Sequence, residues 1–260
     1  MMSRKFYFSS LCCILLCSGM VWFNASCSKG ATNEPDPDTN PIDRIISFSG
    51  FDWIVRTTGE AKQGPGPNLF SDAQENVWVD EQGRLHLKIV QKGGLWYCSG
   101  VILRRSMGYG KYVFYISSDV SKLDKQVVAG LFTYKNDNEE IDIEFSRWGV
   151  ADNQDSQFAV QPSEKAGNKE RYDLQLLGVQ STHAFNWQPN KIEFISLQGH
   201  GLTSGVENII HEWAYIGGDI PPENEERLRM NLWLFRGVAP SDLKDQEIII
   251  EKVEFIKNPS

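Results

Sequence analysis

The chain has 260 residues, a formal net charge of −8 and 41% hydrophobic residues, enough apolar material for one large core. That acidity excludes attraction to nucleic acid or anionic lipid. Its histidines (His86, His183, His200, His211) are scattered singly and no cysteine pair shows metal-ligand spacing, so no catalytic metal is expected.

Residues 1–5 are short and basic and residues 6–23 almost wholly apolar, the n- and h-regions of a secretory signal. Ala25 and Ser26 precede Cys27, which resembles a bacterial lipoprotein cleavage box. The expectation is a signal peptide over 1–26, a lipidated Cys27, and an exported domain held in the cell envelope. Its membrane contact would run only through the lipid. The alternative is an uncleaved N-terminal anchor, since about 18 apolar residues can span a bilayer. Loss of Arg4 and Lys5 with the leader takes the formal charge from −8 to −10. Cys12, Cys13 and Cys17 leave with it, so Cys98 has no partner and is expected as a buried, inert thiol.

Residues 28–41 hold three prolines and no large apolar side chain, so they cannot pack a core. With Cys27 they read as a tether reaching roughly 45 Å when extended. From 42 to 260 there is no second linker and no repeat, which predicts one domain and a monomer.

The predicted elements are almost all strands. Residues 84–90 alternate Leu85, Leu87 and Ile89 against Arg84, His86 and Lys88, and a turn at 80–83 joins them to 77–79 as a hairpin. Further β-rich runs are 100–104, 111–117, 126–134, 156–160, 182–187, 191–197, 209–216, 227–235 and 246–256. So many short strands between turn signals predict an all-β fold of two packed antiparallel sheets, a sandwich or jelly roll.

Residues 138–145, N-E-E-I-D-I-E-F, carry the chemistry. Glu140, Asp142 and Glu144 fall on one face of a strand, and Ile141, Ile143 and Phe145 on the other. Such alternation by itself also describes an ordinary half-solvated strand. Three carboxylates on one face repel, however, and Asp142 between two glutamates raises at least one pKa, as a general acid at neutral pH requires. Strand rise sets the Cα atoms of Glu140 and Glu144 roughly 13 Å apart. On a concave sheet their converging carboxyls could then approach to about 5 Å, the separation of a retaining glycosidase.

E-I-D-I-E-F resembles the active-site strand of glycoside hydrolase family 16, the jelly-roll β-glucanases, in its lichenase-like form. The resemblance runs in order through G-P-G-P-N-L-F-S (64–71), H-L-K-I (86–89), Y-G-K-Y (109–112), L-F-T-Y (131–134), A-F-N-W (184–187) and M-N-L-W (230–233). It implies a concanavalin A-like jelly roll, with Glu140 as nucleophile, Asp142 as the residue that assists and orients it, and Glu144 as general acid/base. It also implies that Asn68, Phe132, Tyr134, Asn231 and Trp233 line a substrate cleft, where aromatic faces stack on sugar rings and amides bind hydroxyls. Trp96 and Trp148 are further aromatic candidates.

The chain departs from the lichenase pattern at several positions. Gly100 and Ile102 stand where lichenases carry a Glu and an Arg; Ala159 and Gln161 replace an Asn and an aromatic; and the Trp before the first catalytic Glu is missing. Family members often hold a structural calcium ion, which would fall near the Gly83 carbonyl and Glu251; no cofactor is required for the chemistry.

The function these residues imply is a retaining, endo-acting hydrolase of β-linked polysaccharide, of the β-1,3/β-1,4-glucan type. The acidic charge of the chain favours a neutral glycan. A transglycosylase, or a non-catalytic glycan-binding lipoprotein on the same fold, are the alternatives; three crowded carboxylates disfavour the binder, which has no need of them.

Overall fold

The computed structural model describes residues 43–202 and 205–258. The expected signal peptide, Cys27 and the tether lie outside the described residues. Those described form sixteen strands: β1 (Ile45–Phe48), β2 (Phe51–Val55), β3 (Leu69–Phe70), β4 (Val77–Val79), β5 (Leu85–Lys92), β6 (Leu95–Leu103), β7 (Gly110–Ile116), β8 (Val127–Asn136), β9 (Glu139–Phe145), β10 (Ser156–Val160), β11 (Lys169–Tyr172), β12 (Ser181–Gln188), β13 (Lys191–Gln198), β14 (Ile209–Tyr215), β15 (Arg227–Leu234) and β16 (Gln246–Lys257).

Hydrogen bonding runs β11-β10-β9-β8-β15-β6-β5-β16-β7-β12-β13-β14, with β2 on β6, β1 on β2, β3 on β6 and β4 on β5. Every pairing is antiparallel except the short β3–β6 contact. Only three residue pairs join β5 to β6, next to their turn. There the sheet folds back on itself and becomes a two-layer jelly-roll sandwich. Contacts across the layers mark the closure: the rings of Phe145 and His183 lie 4.6 Å apart, those of Phe158 and Phe194 4.9 Å, and the hydroxyls of Tyr172 and Ser196 bond at 2.7 Å. His183 is wholly buried and bonded to Ser181 and Ser196, and burial pushes its imidazole down to about 3, so it serves the core as a neutral ring.

Strands predicted from alternation are found within a few residues of their expected ends, and 77–79 does pair with β5. Four elements were not predicted. β1 and β2 form a hairpin whose turn residues Ser49 and Gly50 both have positive φ, a tight turn suited to twisted strands. Trp53, fully buried, donates its indole N–H to the Phe48 carbonyl and closes that hairpin. β3 is two residues long, below any periodicity. β11, Lys-Glu-Arg-Tyr, offers no apolar alternation; it is an edge strand held by β10 and by the buried Tyr172.

The acidic strand β9 sits between β8 and β10. Ile141, Ile143 and Phe145 are buried in the core, so period-2 geometry turns Glu140, Asp142 and Glu144 to the opposite face of the sheet.

Candidate active site

Antiparallel register lays that opposite face out in rows. One row runs Gly100, Asn231, Gly130, Glu144, Gln157, Arg171. The next runs Ile102, Arg229, Phe132, Asp142, Ala159, Lys169. A third places Arg227, Tyr134 and Glu140 side by side. Glycines at 100 and 130 leave the floor low on either side of Asn231. A Cβ on Gly100 would come within 2.2 Å of the Asn231 side chain, whereas one on Gly130 would meet only Phe132 at an ordinary distance. Packing within the fold therefore requires a glycine at 100 but not at 130.

Beside Glu140 a recess of about 370 Å³ is walled by Arg56, Gln63, Gly64, Pro65, Phe132, Tyr134, Asp137, Glu140, Arg229 and Asn231. Of the cleft residues expected from sequence, Phe132, Tyr134 and Asn231 are thus brought together with the first glutamate. Trp233 lies on the same face of β15, two residues past Asn231, partly buried. Trp96 is partly buried against the core near the β5–β6 turn and is not on the wall of this recess.

Asn68 departs from its expected sugar contact. Its side chain is buried, with the amide donating to the carbonyls of Pro65 (2.8 Å) and Leu234 (2.9 Å) while its oxygen faces the Cys98 thiol at 3.5 Å. Every polar atom is engaged within the fold, so Asn68 shapes the 64–68 loop. Cys98 is a free, buried thiol whose pKa burial pushes up to about 12, as an inert core residue should be.

The three carboxyls differ in surroundings. Burial pushes Glu140 up to about 7; the hydrogen bond from Asp142 draws it down and the charge of Glu144 raises it again. Asp142 is the most deeply buried, and burial together with the neighbouring Glu140 raises it well above the usual carboxyl range. It therefore keeps its proton and donates it to the Glu140 carboxylate, while Gln161 Nε2 donates to Asp142 Oδ2 at 3.0 Å. Burial pushes Glu144 up to about 8, against the lowering influence of Arg171 and of Gln157.

Gln157 Nε2 donates to Glu144 Oε2 at 3.0 Å, and Arg171 Nε donates to Gln157 Oε1 at 3.1 Å. The guanidinium of Arg171 lies 4.2 Å over the Trp148 ring. Arg171 thus fixes which end of the Gln157 amide faces the glutamate. Arg171→Met removes both that restraint and a nearby positive charge, so Glu144 should hold its proton to higher pH. The alkaline limb of the kcat/KM profile is expected to move up by a few tenths of a unit to about one unit, with a several-fold loss of rate. An unmoved limb in the purified variant would remove Arg171 from the site.

Gln161, Arg171, Arg56 and Arg229 were not singled out as site residues from sequence. Arg229 was within reach, because it alternates with Asn231 and Trp233 along β15. Arg56 follows the end of β2, and only the fold brings it over the row that begins at Gly100, where its amide N–H bonds the Gly100 carbonyl.

Glu251, expected beside a structural calcium ion, follows Ile250, which pairs with Leu85 just after Gly83. Glu251 is exposed and accepts from the Ser117 hydroxyl at 2.9 Å, and no group of three His, Cys, Asp or Glu able to hold a metal occurs among the described residues.

No family profile matches the chain, and no curated protein matches it. Solved structures do. A Bacillus licheniformis β-glucanase superposes with a TM-score of 0.59 at 20% identity, covering 78% of this chain and 92% of that one. A prokaryotic β-1,3-1,4-glucanase (lichenase) from a mouse hindgut metagenome gives 0.58 at 21% identity, covering 79% and 93%. A Mycobacterium tuberculosis protein described as an immunostimulatory antigen and pseudo-β-1,3-glucanase gives 0.59 at 16% identity, covering 80% and 91%. At these identities the likeness is one of fold: the chain has the jelly-roll sandwich on which β-glucanases are built.

Proposed function

We propose that the protein is a retaining glycoside hydrolase acting at internal bonds of a β-linked polysaccharide. The observation that supports it is the face of β9, shared by Glu140, Asp142 and Glu144, of which Glu140 lines a recess and is the more acidic of the two glutamates. Between about pH 7 and 8, Glu140 is largely ionised while Glu144 still holds its proton. That is the pairing a double displacement needs. Glu140 attacks the anomeric carbon as Glu144 protonates the departing glycosidic oxygen; Glu144, now a carboxylate, then takes a proton from the water that releases the sugar. Asp142, through its hydrogen bond, holds Glu140 in line and stabilises its charge.

The test is reducing-end release by the full-length protein on β-1,3-, β-1,4- and mixed-linkage glucans and on β-galactans, with the product anomer followed by NMR. Expected are internal cuts, a bell-shaped profile centred between pH 7 and 8, and a first-formed product of retained β configuration. An inverted product would exclude Glu140 as nucleophile. Binding without release on every backbone would favour a glycan-binding protein, a reading that the similarity to a pseudo-glucanase keeps in view.

A further inference from the structure

We propose that Gln161 is a positioning residue that turns the proton of Asp142 towards Glu140, so that the carboxylate presented for attack is the one on the wall of the recess. This rests on the glycoside hydrolase reading of the same site and names a residue on which that chemistry depends. Gln161 follows the end of β10, where the pairing of Val160 with Ile141 is continued by a bond from the Gln161 backbone N–H to the Glu140 carbonyl at 3.1 Å. Period-2 geometry sets Gln157, Ala159 and Gln161 on the face that carries the three carboxyls. Ala159, opposite Asp142, is small, and the Gln161 side chain reaches the Asp142 carboxyl diagonally across it.

The Gln161 amide has one orientation. The Ser163 backbone N–H bonds its Oε1 at 2.8 Å, and a backbone N–H can bond only the oxygen end. The turn that supplies Ser163 is itself held: Asn168 Nδ2 donates to the Pro162 carbonyl at 3.2 Å, and the Val160 N–H bonds the Asn168 carbonyl at 2.8 Å. The nitrogen end of Gln161 is thereby turned to Asp142, where Nε2 donates to Oδ2 at 3.0 Å. An oxygen that accepts an N–H cannot point a proton back along the same line, so the Asp142 proton sits on Oδ1 and is given to Glu140. Gln157 is arranged in the same way for Glu144, its oxygen taken by Arg171 and its nitrogen end on the carboxyl. The two amides flanking Ala159 thus serve Glu144 and Asp142, and Glu140 takes its hydrogen bond from an acid.

Removing the Gln161 donor acts on the Glu140–Asp142 pair in one direction. The single negative charge that the pair carries before attack loses a donor, and the Asp142 proton becomes free to turn away from Glu140. Both effects make that charge harder to form. The other charges around the pair stay in place. Glu144 on β9 and Asp137 in the turn before it oppose the charge on Glu140, and Arg229 on β15 favours it. Tyr134 on β8 stands opposite Glu140 with Arg227 next in the row, Arg56 shares the recess wall, and Lys169 on β11 ends the row of Asp142. A change in the titration of the pair therefore reports the Gln161 bond.

The experiment is a pH titration by NMR of the full-length protein, isotope-labelled at the side-chain carboxyl carbons, with Glu140→Gln to assign the Glu140 signal. Gln161→Met is expected to raise the Glu140 titration by about half a unit to one unit, and the acidic limb of kcat/KM with it. Asp142→Asn is expected to leave the Glu140 titration within a few tenths of a unit of the parent's, because the Gln161 N–H holds the Asn oxygen and turns the Asn amide N–H to Glu140 just as it turns the acid proton. A folded Gln161→Met protein with an unmoved titration overturns the proposal, even if its rate falls, since a merely structural Gln161 would give that result. If Gln161→Met fails to fold, Asp142→Asn decides: a Glu140 titration moved by a unit or more overturns the proposal, and an unmoved one upholds it. The two readings fail separately. A titration that moves as stated in a protein that cleaves no glycan removes the hydrolase and keeps the role of Gln161. Cleavage by the parent with an unmoved titration in Gln161→Met keeps the hydrolase and removes that role.

Discussion

Glu140→Ala is expected to lower hydrolysis of an unactivated polysaccharide by several orders of magnitude, with binding of the glycan retained. The size follows from the role. Without the carboxylate no covalent intermediate forms, and water cannot reach the same face in the same geometry. Truncation also leaves a space beside Tyr134 and Arg229, whose positive charge lowers the pKa of Glu140 in the parent. Azide, a small anion, should enter that space and restore attack on an activated aryl glycoside. Because it attacks once, from the nucleophile's side, the product should be the α-glycosyl azide from a β-glycoside. A variant that still hydrolyses polysaccharide near the parent rate would show that Glu140 is not the nucleophile, and the geometry of β9 would need another explanation.

What could be read from the chain alone depended on how local each signal was. A strand has period 2, so the sequence of 138–145 determines that Glu140, Asp142 and Glu144 share a face, and the buried Ile141, Ile143 and Phe145 show the core on the other side. The sandwich was legible for the same reason: apolar alternation in 84–90 and its counterparts survives packing. β2 was not, since Trp53, Ile54 and Val55 are consecutively buried and leave no alternation, and β11 was not, since an edge strand can be wholly polar. The walls of the cleft were the least legible part. Asn68 sits in a loop whose amide is consumed by carbonyls, one of them 166 residues away in sequence, and no local pattern announces that. Arg56 meets Asn231 only because β2 and β15 both pair with β6.

Glu144→Ala should separate the two chemical steps that Glu140→Ala abolishes together. In the parent, Glu144 is held towards its protonated form by burial and is kept in place by Gln157. A polysaccharide has a poor leaving group that needs that proton, so its hydrolysis should fall by several orders of magnitude. A dinitrophenyl glycoside does not need it, and Glu140 should still displace the phenolate at a rate close to the parent's. The second step then lacks its base, so the glycosyl group stays on Glu140: a burst of one equivalent of phenolate, followed by slow turnover, is expected. Azide needs no base and should speed that second step, giving the β-glycosyl azide, the opposite anomer to that expected from Glu140→Ala. The sign of the pH effect follows as well. Activity of the parent is expected to fall as pH rises through about 8, where Glu144 gives up its proton. Release of the aryl group by Glu144→Ala should keep an acidic limb, which belongs to Glu140 and moves below 7 once the Glu144 charge is gone, and lose the alkaline one. A variant that keeps the alkaline limb, or that shows no burst and no response to azide, would take the acid/base role away from Glu144.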